Sequence, residues 1–218
     1  MCGRYCLYSS PKTISNDAGI DVNSNYKISY NISPGKSILT IFNEEDSKTK
    51  TYGYAQWGLK TPQNFHINSR IETVDSAPRF KDAWLKRRLL LPANGFYEWY
   101  QDGLRKQPYY IFSKLHQIVY YAAIEYKISP DEKAVVILTT ESNKEIRGIH
   151  SRMPLIIMNE NHENWLDSSM SKNDATELSK NVELESHTIS NRINKVINDD
   201  SSLIQKQNPL FDNQMSLF

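Results

Sequence analysis

The sequence predicts an α+β protein with a mostly β core and short peripheral helices. Three observations carry this expectation. Runs rich in β-formers recur through the first 160 residues, at Ser37–Phe42 (SILTIF), Ile118–Ile124 and Ala134–Thr140 (AVVILTT). Turn signals punctuate them, with Ser33-Pro34-Gly35 the clearest. Helical patterns are confined to short pieces: Ser76–Lys86, Asn143–Ile149, Glu160–Leu166 and Lys172–Lys180. Strands interspersed with a few short helices point to α+β or mostly β architecture.

Taken in order, Tyr30-Asn31-Ile32 runs into the Pro34-Gly35 turn, and Ser37–Phe42 follows as a strand. Ala134–Thr140 is a continuous apolar run of strand length. No repeat and no clean linker interrupts residues 2–197, which are expected to form one domain. Asn198-Asp199-Asp200-Ser201-Ser202 then opens a polar stretch, expected to be a loose tail over 198–218.

Composition narrows the function classes. With 39% hydrophobic and 23% charged residues, the 218-residue chain reads as an ordinary soluble protein with one substantial core. No apolar run approaches the roughly 18 residues that cross a membrane. The start, MCGRYCLYSS, lacks a secretory signal pattern, so a cytoplasmic protein is expected. Two cysteines, Cys2 and Cys6, make no disulfide framework, and the five histidines show no zinc-ligand spacing. No metal or cofactor is therefore expected. Residues 1–110 hold 15 Lys and Arg against 10 Asp and Glu, and residues 111–218 hold 11 against 15. A mildly basic first half can present an anion-facing surface, although ordinary surface charge gives the same counts.

Four segments carry chemistry. In Met1-Cys2-Gly3-Arg4, the small residue at position 2 permits loss of Met1. Cys2 would then present an α-amine and a thiol on one residue. The amine, with a pKa near about 8, is partly neutral at pH 7 and can condense with an aldehyde. The thiol can then close a five-membered thiazolidine. Cys6 cannot do this, because its nitrogen lies in a peptide bond. Asn68-Ser69-Arg70-Ile71-Glu72-Thr73 offers an orienting amide and a phosphate-gripping guanidinium. In Pro92-Ala93-Asn94-Gly95-Phe96-Tyr97-Glu98-Trp99, aromatic neighbours would desolvate Glu98 and raise its pKa toward neutrality, unless an arginine pairs with it. Ile149-His150-Ser151-Arg152-Met153-Pro154 adds a histidine that titrates near neutral pH.

The segments MCGR, NSRIET, PANGFYEW and IHSRMP, with NISPG and WGL between them, occur in the order and approximate spacing of the SOS-response-associated peptidase (SRAP) family. The chain resembles that family over most of residues 2–170. The resemblance implies a single domain with barrel-like sheets. It implies that Cys2, freed of Met1 by a self-catalysed, hydrolase-like step, forms a thiazolidine with the aldehyde of an abasic site in single-stranded DNA. Asn68 would position the terminal Cys and the sugar, while Glu98 and His150 would move protons. Arg4, Arg70 and Arg152 match positions associated with DNA phosphates, and Pro34, Trp57 and Thr139 match positions lining the DNA cleft. Ser151, Leu89 and Ala123-Ile124-Glu125 depart from the common pattern without removing a proposed catalytic group.

A separate signal closes the chain. Gln214-Met215-Ser216-Leu217-Phe218 reads Gln-x-x-Leu-Phe, as does Gln207–Phe211. The terminal copy is similar to peptides that dock on bacterial sliding clamps, with Gln214, Leu217 and Phe218 as anchors. Two other functions stay open: a cysteine peptidase acting on proteins, and a noncovalent single-strand-binding module.

Overall fold

A computed structural model describes residues 2–23, 25–44, 47, 49–129 and 132–210. In chain order its strands are β1 (Tyr5–Leu7), β2 (Ser29–Ile32), β3 (Ser37–Asn43), β4 (Lys50–Trp57), β5 (Leu59–Lys60), β6 (Phe65–His66), β7 (Asn68–Arg70), β8 (Arg88–Ala93), β9 (Gly95–Asp102), β10 (Arg105–Ser113), β11 (Val119–Lys127), β12 (Lys133–Glu141), β13 (Arg152–Pro154), β14 (Ile156–Ile157) and β15 (Leu184–Thr188). The helices are α1 (Pro11–Ala18), α2 (Lys81–Lys86), α3 (His162–Leu166) and α4 (Lys172–Lys180).

The apolar run at 134–140 lies in β12, which is buried on both faces along most of its length. That burial fits its place as the hub of the fold. β12 pairs antiparallel with β11 and parallel with β4, while β11, β8, β3 and β4 pair in succession. The five strands therefore close into a ring, which leaves none of them a free edge. Beyond the ring, the C-terminal end of β12 lies between two short strands. β7 runs parallel to it, with Thr139 opposite Arg70. β13 runs antiparallel, with Glu141 opposite Arg152.

A second sheet, ordered β15-β10-β9-β1-β2, packs beside the ring. In it Tyr5 pairs with Phe96, and Tyr97 N–H donates to Arg4 O at 3.0 Å. The amino-terminal residues are thereby held alongside the strand that carries Glu98. Gly95 is required for this approach. A Cβ there would lie 2.5 Å from Ile111 O and 2.6 Å from the Tyr110 ring. Edge-on aromatic contacts join the two sheets. Tyr5 meets Trp57 at 5.4 Å and Tyr121 at 5.8 Å, and Phe96 meets Tyr121 at 6.1 Å. All four rings are buried, and each such side chain stabilises the fold by roughly 1.5–3 kcal/mol through burial.

The turn at Ser33–Lys36 is type II. Pro34 fixes the first corner, Gly35 takes φ +87°, and Lys36 N–H returns to Ser33 O. Three expectations need correction. The helix expected over Ser76–Lys86 is regular only from Lys81, because Pro78 disfavours helical geometry at Ala77 and lacks a donor. Asn143–Ile149 forms successive turns rather than a helix, with Gly148 weakening propagation. The polar stretch from 198 is tied down as far as Leu210. Asp199 accepts from Ser29 Oγ and Tyr30 N–H, Leu203 is fully buried, and Leu210 N–H donates to Gln107. Gln214, Leu217 and Phe218 lie outside the described residues. No described helix is long and apolar enough to cross a membrane.

Candidate active site

The two sheets bring together four residues that are far apart in sequence. Cys2 is fully buried, and its carbonyl accepts from Asn68 Nδ2 at 2.8 Å. Asn68 stands at the start of β7, so the parallel pairing of β7 with β12 sets its distance from the chain's start. Its Oδ1 is buried with no hydrogen-bond partner among the described residues. A buried acceptor of this kind is costly until a donor reaches it.

Glu98, in β9, is 3% exposed. Burial pushes its carboxyl up to about 7. Its Oε2 lies 4.0 Å from His150 Nε2. His150 Nδ1 sits 3.0 Å from both the N–H and the carbonyl of Arg152. The N–H serves it when Nδ1 is unprotonated, and the carbonyl when it carries a proton. Nδ1 therefore has a partner in either state, while Nε2 faces Glu98. Burial also pulls the His150 pKa down, which favours the neutral ring near pH 7. Burial pushes the Cys2 thiol well above the usual range, and the Glu98 carboxylate adds to the effect. The site thus holds a protonated thiol beside two groups able to exchange protons near neutrality.

The arginines and cleft residues fall into different classes. Arg70 is exposed, and its side chain makes no hydrogen bond or ion pair among the described residues, although its charge helps pull the nearby Glu72 carboxyl down. Arg4 turns inward instead, its Nη1 donating to Asn31 Oδ1 at 2.6 Å and Ile193 O at 2.9 Å. Arg152 makes a two-pronged ion pair with Glu72 and also donates to Thr139 O at 2.6 Å. Pro34 is partly exposed in its turn. Trp57 and Thr139, expected to line the cleft, are fully buried. Trp57 backs Tyr5 and donates to Ile67 O, and Thr139 donates to Ser69 O, so both lie beneath the surface.

Sequence reasoning gave no role to Glu72, Asn31 or Asn94, although each lies inside a quoted motif. Asn94 accepts from the N–H groups of Tyr8 and Ser9 and donates to Ser9 Oγ and Gln117 O, which anchors the chain just after β1. Asn31 grips Arg4 on one side and the carbonyls of Lys195 and Asn198 on the other. A buried side-chain amide with every group satisfied specifies geometry more than chemistry. A cleft of about 930 Å³ at the opposite end of β12 is lined by Phe42, Tyr52, Arg88 and Lys133, and none of the candidate residues reaches it.

Comparison with known proteins shows the family and the fold. The chain is 30% identical over 230 residues to the abasic site processing protein YoaM of Bacillus subtilis, covering 95% of this chain and 99% of that one. It is 29% identical over 189 residues to the abasic site processing protein YedK of Escherichia coli, covering 81% and 83%. A solved structure of a Bacteroides thetaiotaomicron protein shares the fold, with a TM-score of 0.77 at 22% identity over 94% of this chain and 100% of that one. Residues 1–196 match the family described as SOS response associated peptidase (SRAP), a span that includes Cys2, Asn68, Glu98 and His150, and the chain belongs to that family.

Proposed function

We propose that this protein processes abasic sites in single-stranded DNA, using Cys2 after loss of Met1. Relatives along nearly the whole chain carry the name abasic site processing protein, which supports the substrate class. The observation that carries the mechanism is the convergence of Cys2, Asn68, Glu98 and His150 in one buried site. In this reading Met1 hydrolysis frees the Cys2 amine, and Asn68 Oδ1 accepts a hydrogen bond from it. The amine attacks the sugar aldehyde and water leaves, giving an imine. The Cys2 sulfur then adds to the imine carbon while a proton passes to the imine nitrogen, closing the thiazolidine. Glu98 gives and takes protons through these steps, and His150 relays them. Such groups contribute typically about 10²–10⁴-fold to rate.

The direction of the thiol's shift favours this reading over a cysteine peptidase. A peptidase nucleophile needs a thiolate held by a lowered pKa. Burial and Glu98 push Cys2 the other way. In the proposed sequence the amine reacts first, and the thiol gives up its proton only as the ring closes. A noncovalent binding module would have no use for Glu98 held near pH 7. The test is the protein's mass before and after mixing with a single strand containing one abasic site. Loss of Met1 and a single DNA adduct support the proposal. Retention of Met1 with no adduct overturns it, and cleavage of a protein substrate would restore the peptidase.

In the same reading the protein acts in the cytoplasm, at the nucleoid, where damaged strands lie. As a separate proposal, Gln214, Leu217 and Phe218 dock the protein on a replication sliding clamp, supported by their Gln-x-x-Leu-Phe pattern. Deleting residues 214–218 is expected to weaken clamp binding and leave the adduct yield on a free oligonucleotide unchanged. Equal clamp binding by both forms discards the tether.

A further inference from the structure

The Arg152 fork is filled in an unusual way. Nη1 donates to Glu72 Oε1 at 2.7 Å and Nη2 to Glu72 Oε2 at 3.0 Å. Behind the fork, Nη2 also donates to Thr139 O at 2.6 Å and Thr139 Oγ1 at 3.2 Å. The arginine side chain is 12% exposed and the glutamate 44%, so the carboxylate stands on the solvent side of a guanidinium fixed from beneath. Glu72 follows β7 directly, two residues from the exposed Arg70. Two parallel N–H groups held in a plane and met by two anionic oxygens match a phosphate as well as a carboxylate.

We infer that Glu72 occupies the seat of a DNA phosphate, and that single-stranded DNA displaces its carboxylate from Arg152 on binding. The inference rests on the abasic-site reading above and goes beyond it by naming what the DNA must compete with. Magnitudes permit the exchange. A partly exposed ion pair is worth only about 0–1 kcal/mol. A phosphate that takes its place also releases counterions. Thr139 is an internal β12 residue, so its carbonyl keeps the fork in place once Glu72 has left. Lys172 helps hold Glu72 where it is, since its Nζ donates to Glu72 O at 3.3 Å and pairs with Asp75 at 2.7 Å. Weak or transient DNA contacts therefore meet a closed fork, and a strand that also engages Arg70 and the Cys2 site opens it.

The experiment measures affinity for an intact single-stranded oligonucleotide over a salt series, for the parent, Glu72→Gln and Glu72→Ala. Both variants are expected to bind more tightly, by up to about fivefold at low salt, the range set by a pair worth up to ~1 kcal/mol. Their log–log salt slopes should stay at the parent's value, since the same phosphate meets Arg152 in all three complexes. Adding Arg152→Ala to either variant should erase the gain. Weaker or unchanged binding in both variants, or a gain that survives loss of Arg152, overturns the inference. Glu72→Gln keeps the size and one hydrogen bond of the native side chain, so it reports even where Glu72→Ala loosens the fold. A parent that fails to bind single strands sinks the abasic-site reading and the inference with it, whereas a parent that binds without a gain in the variants sinks the inference alone.

Discussion

Cys2 and Cys6 lie four residues apart near the start of the chain, and both are fully buried. Burial pushes both thiols up, Cys6 to about 12. Their surroundings differ. Cys6 packs with Tyr97, Tyr110, Ile189, Ile193 and Leu203, and its Sγ lies 3.5 Å from Gly95 O and 3.7 Å from Tyr110 Oη. It helps seat the C-terminal turns on the second sheet. Cys2 faces Glu98, and Asn68 holds its carbonyl. Two equally buried thiols therefore do different work, and the difference lies in which proton carriers stand beside each one and in which can gain a free amine.

The sharpest way to break the comparison is to exchange each sulfur for oxygen. Cys2→Ser is expected to abolish the heat-stable DNA adduct, because a hydroxyl does not close the ring on an imine. Cys6→Ser should keep the parent's adduct yield, since its nitrogen lies in a peptide bond whatever the side chain. Denaturing gels of both variants after mixing with abasic DNA decide this. An adduct of undiminished yield from Cys2→Ser would overturn the thiazolidine, and loss of the adduct from a folded Cys6→Ser would erase the contrast between the two sites.

Glu98 gives the next largest effects. Glu98→Gln and His150→Ala should each slow adduct formation by about 10²–10⁴-fold while leaving affinity for intact single strands unchanged. Glu98 also marks the stability profile. Its folded pKa is about 7, against about 4.3 in an unfolded chain. The unfolded state thus ionises first as pH rises, and stability falls between about pH 4.3 and 7 by ~3 kcal/mol. The contribution is fully present below the unfolded value and is gone above the folded one. Glu98→Gln should lack this loss, and Cys6→Ser should retain it. Urea midpoints across that pH window test the assignment, and parallel profiles for parent and Glu98→Gln would show that Glu98 titrates alike in the folded and unfolded states.

How much of this was legible in the sequence follows from the same distinction between local and distant causes. The strand at 134–140 could be read because a run buried on both faces is apolar at every position. The helix at Lys172–Lys180 appeared with the expected bounds, its Ser171 cap accepting from Asp174 N–H. α1 went unread although its signals are local: Ser10 caps it, Pro11 opens it, and Gly19 closes it at φ +67°. The four candidate site residues stood in separate motifs, and their grouping came from family resemblance, since no spacing states that β7 lies parallel to β12. The inward turn of Arg4 and the capture of Arg152 by Glu72 were illegible for the same reason. Their partners come from strands and turns distant in sequence, and an arginine's partner is set by tertiary packing.

The smallest expected effects separate two arginines that the sequence placed in one class. Arg4 donates to Asn31 and to Ile193 O, and Asn31 in turn holds the carbonyls of Lys195 and Asn198. Arg4 therefore fastens the segment that covers Cys6. Arg4→Ala should destabilise the fold by about 1–3 kcal/mol, the usual cost of leaving a buried acceptor unpaired. Its effect on the salt dependence of DNA binding should be small, because its Nη1 donor is engaged inside the protein. Arg70 is exposed at the end of β7, beside the Arg152 fork, and has no partner of this kind among the described residues. Arg70→Ala should change stability by no more than about 0.5 kcal/mol. It should flatten the log–log salt slope on single strands by about 0.7, one phosphate contact's worth. Denaturant midpoints and salt titrations on the same two variants check both halves. If Arg4→Ala flattens the slope at unchanged stability, its guanidinium leaves Asn31 when DNA binds, and the division between anchoring and binding arginines moves to the other side of Arg4.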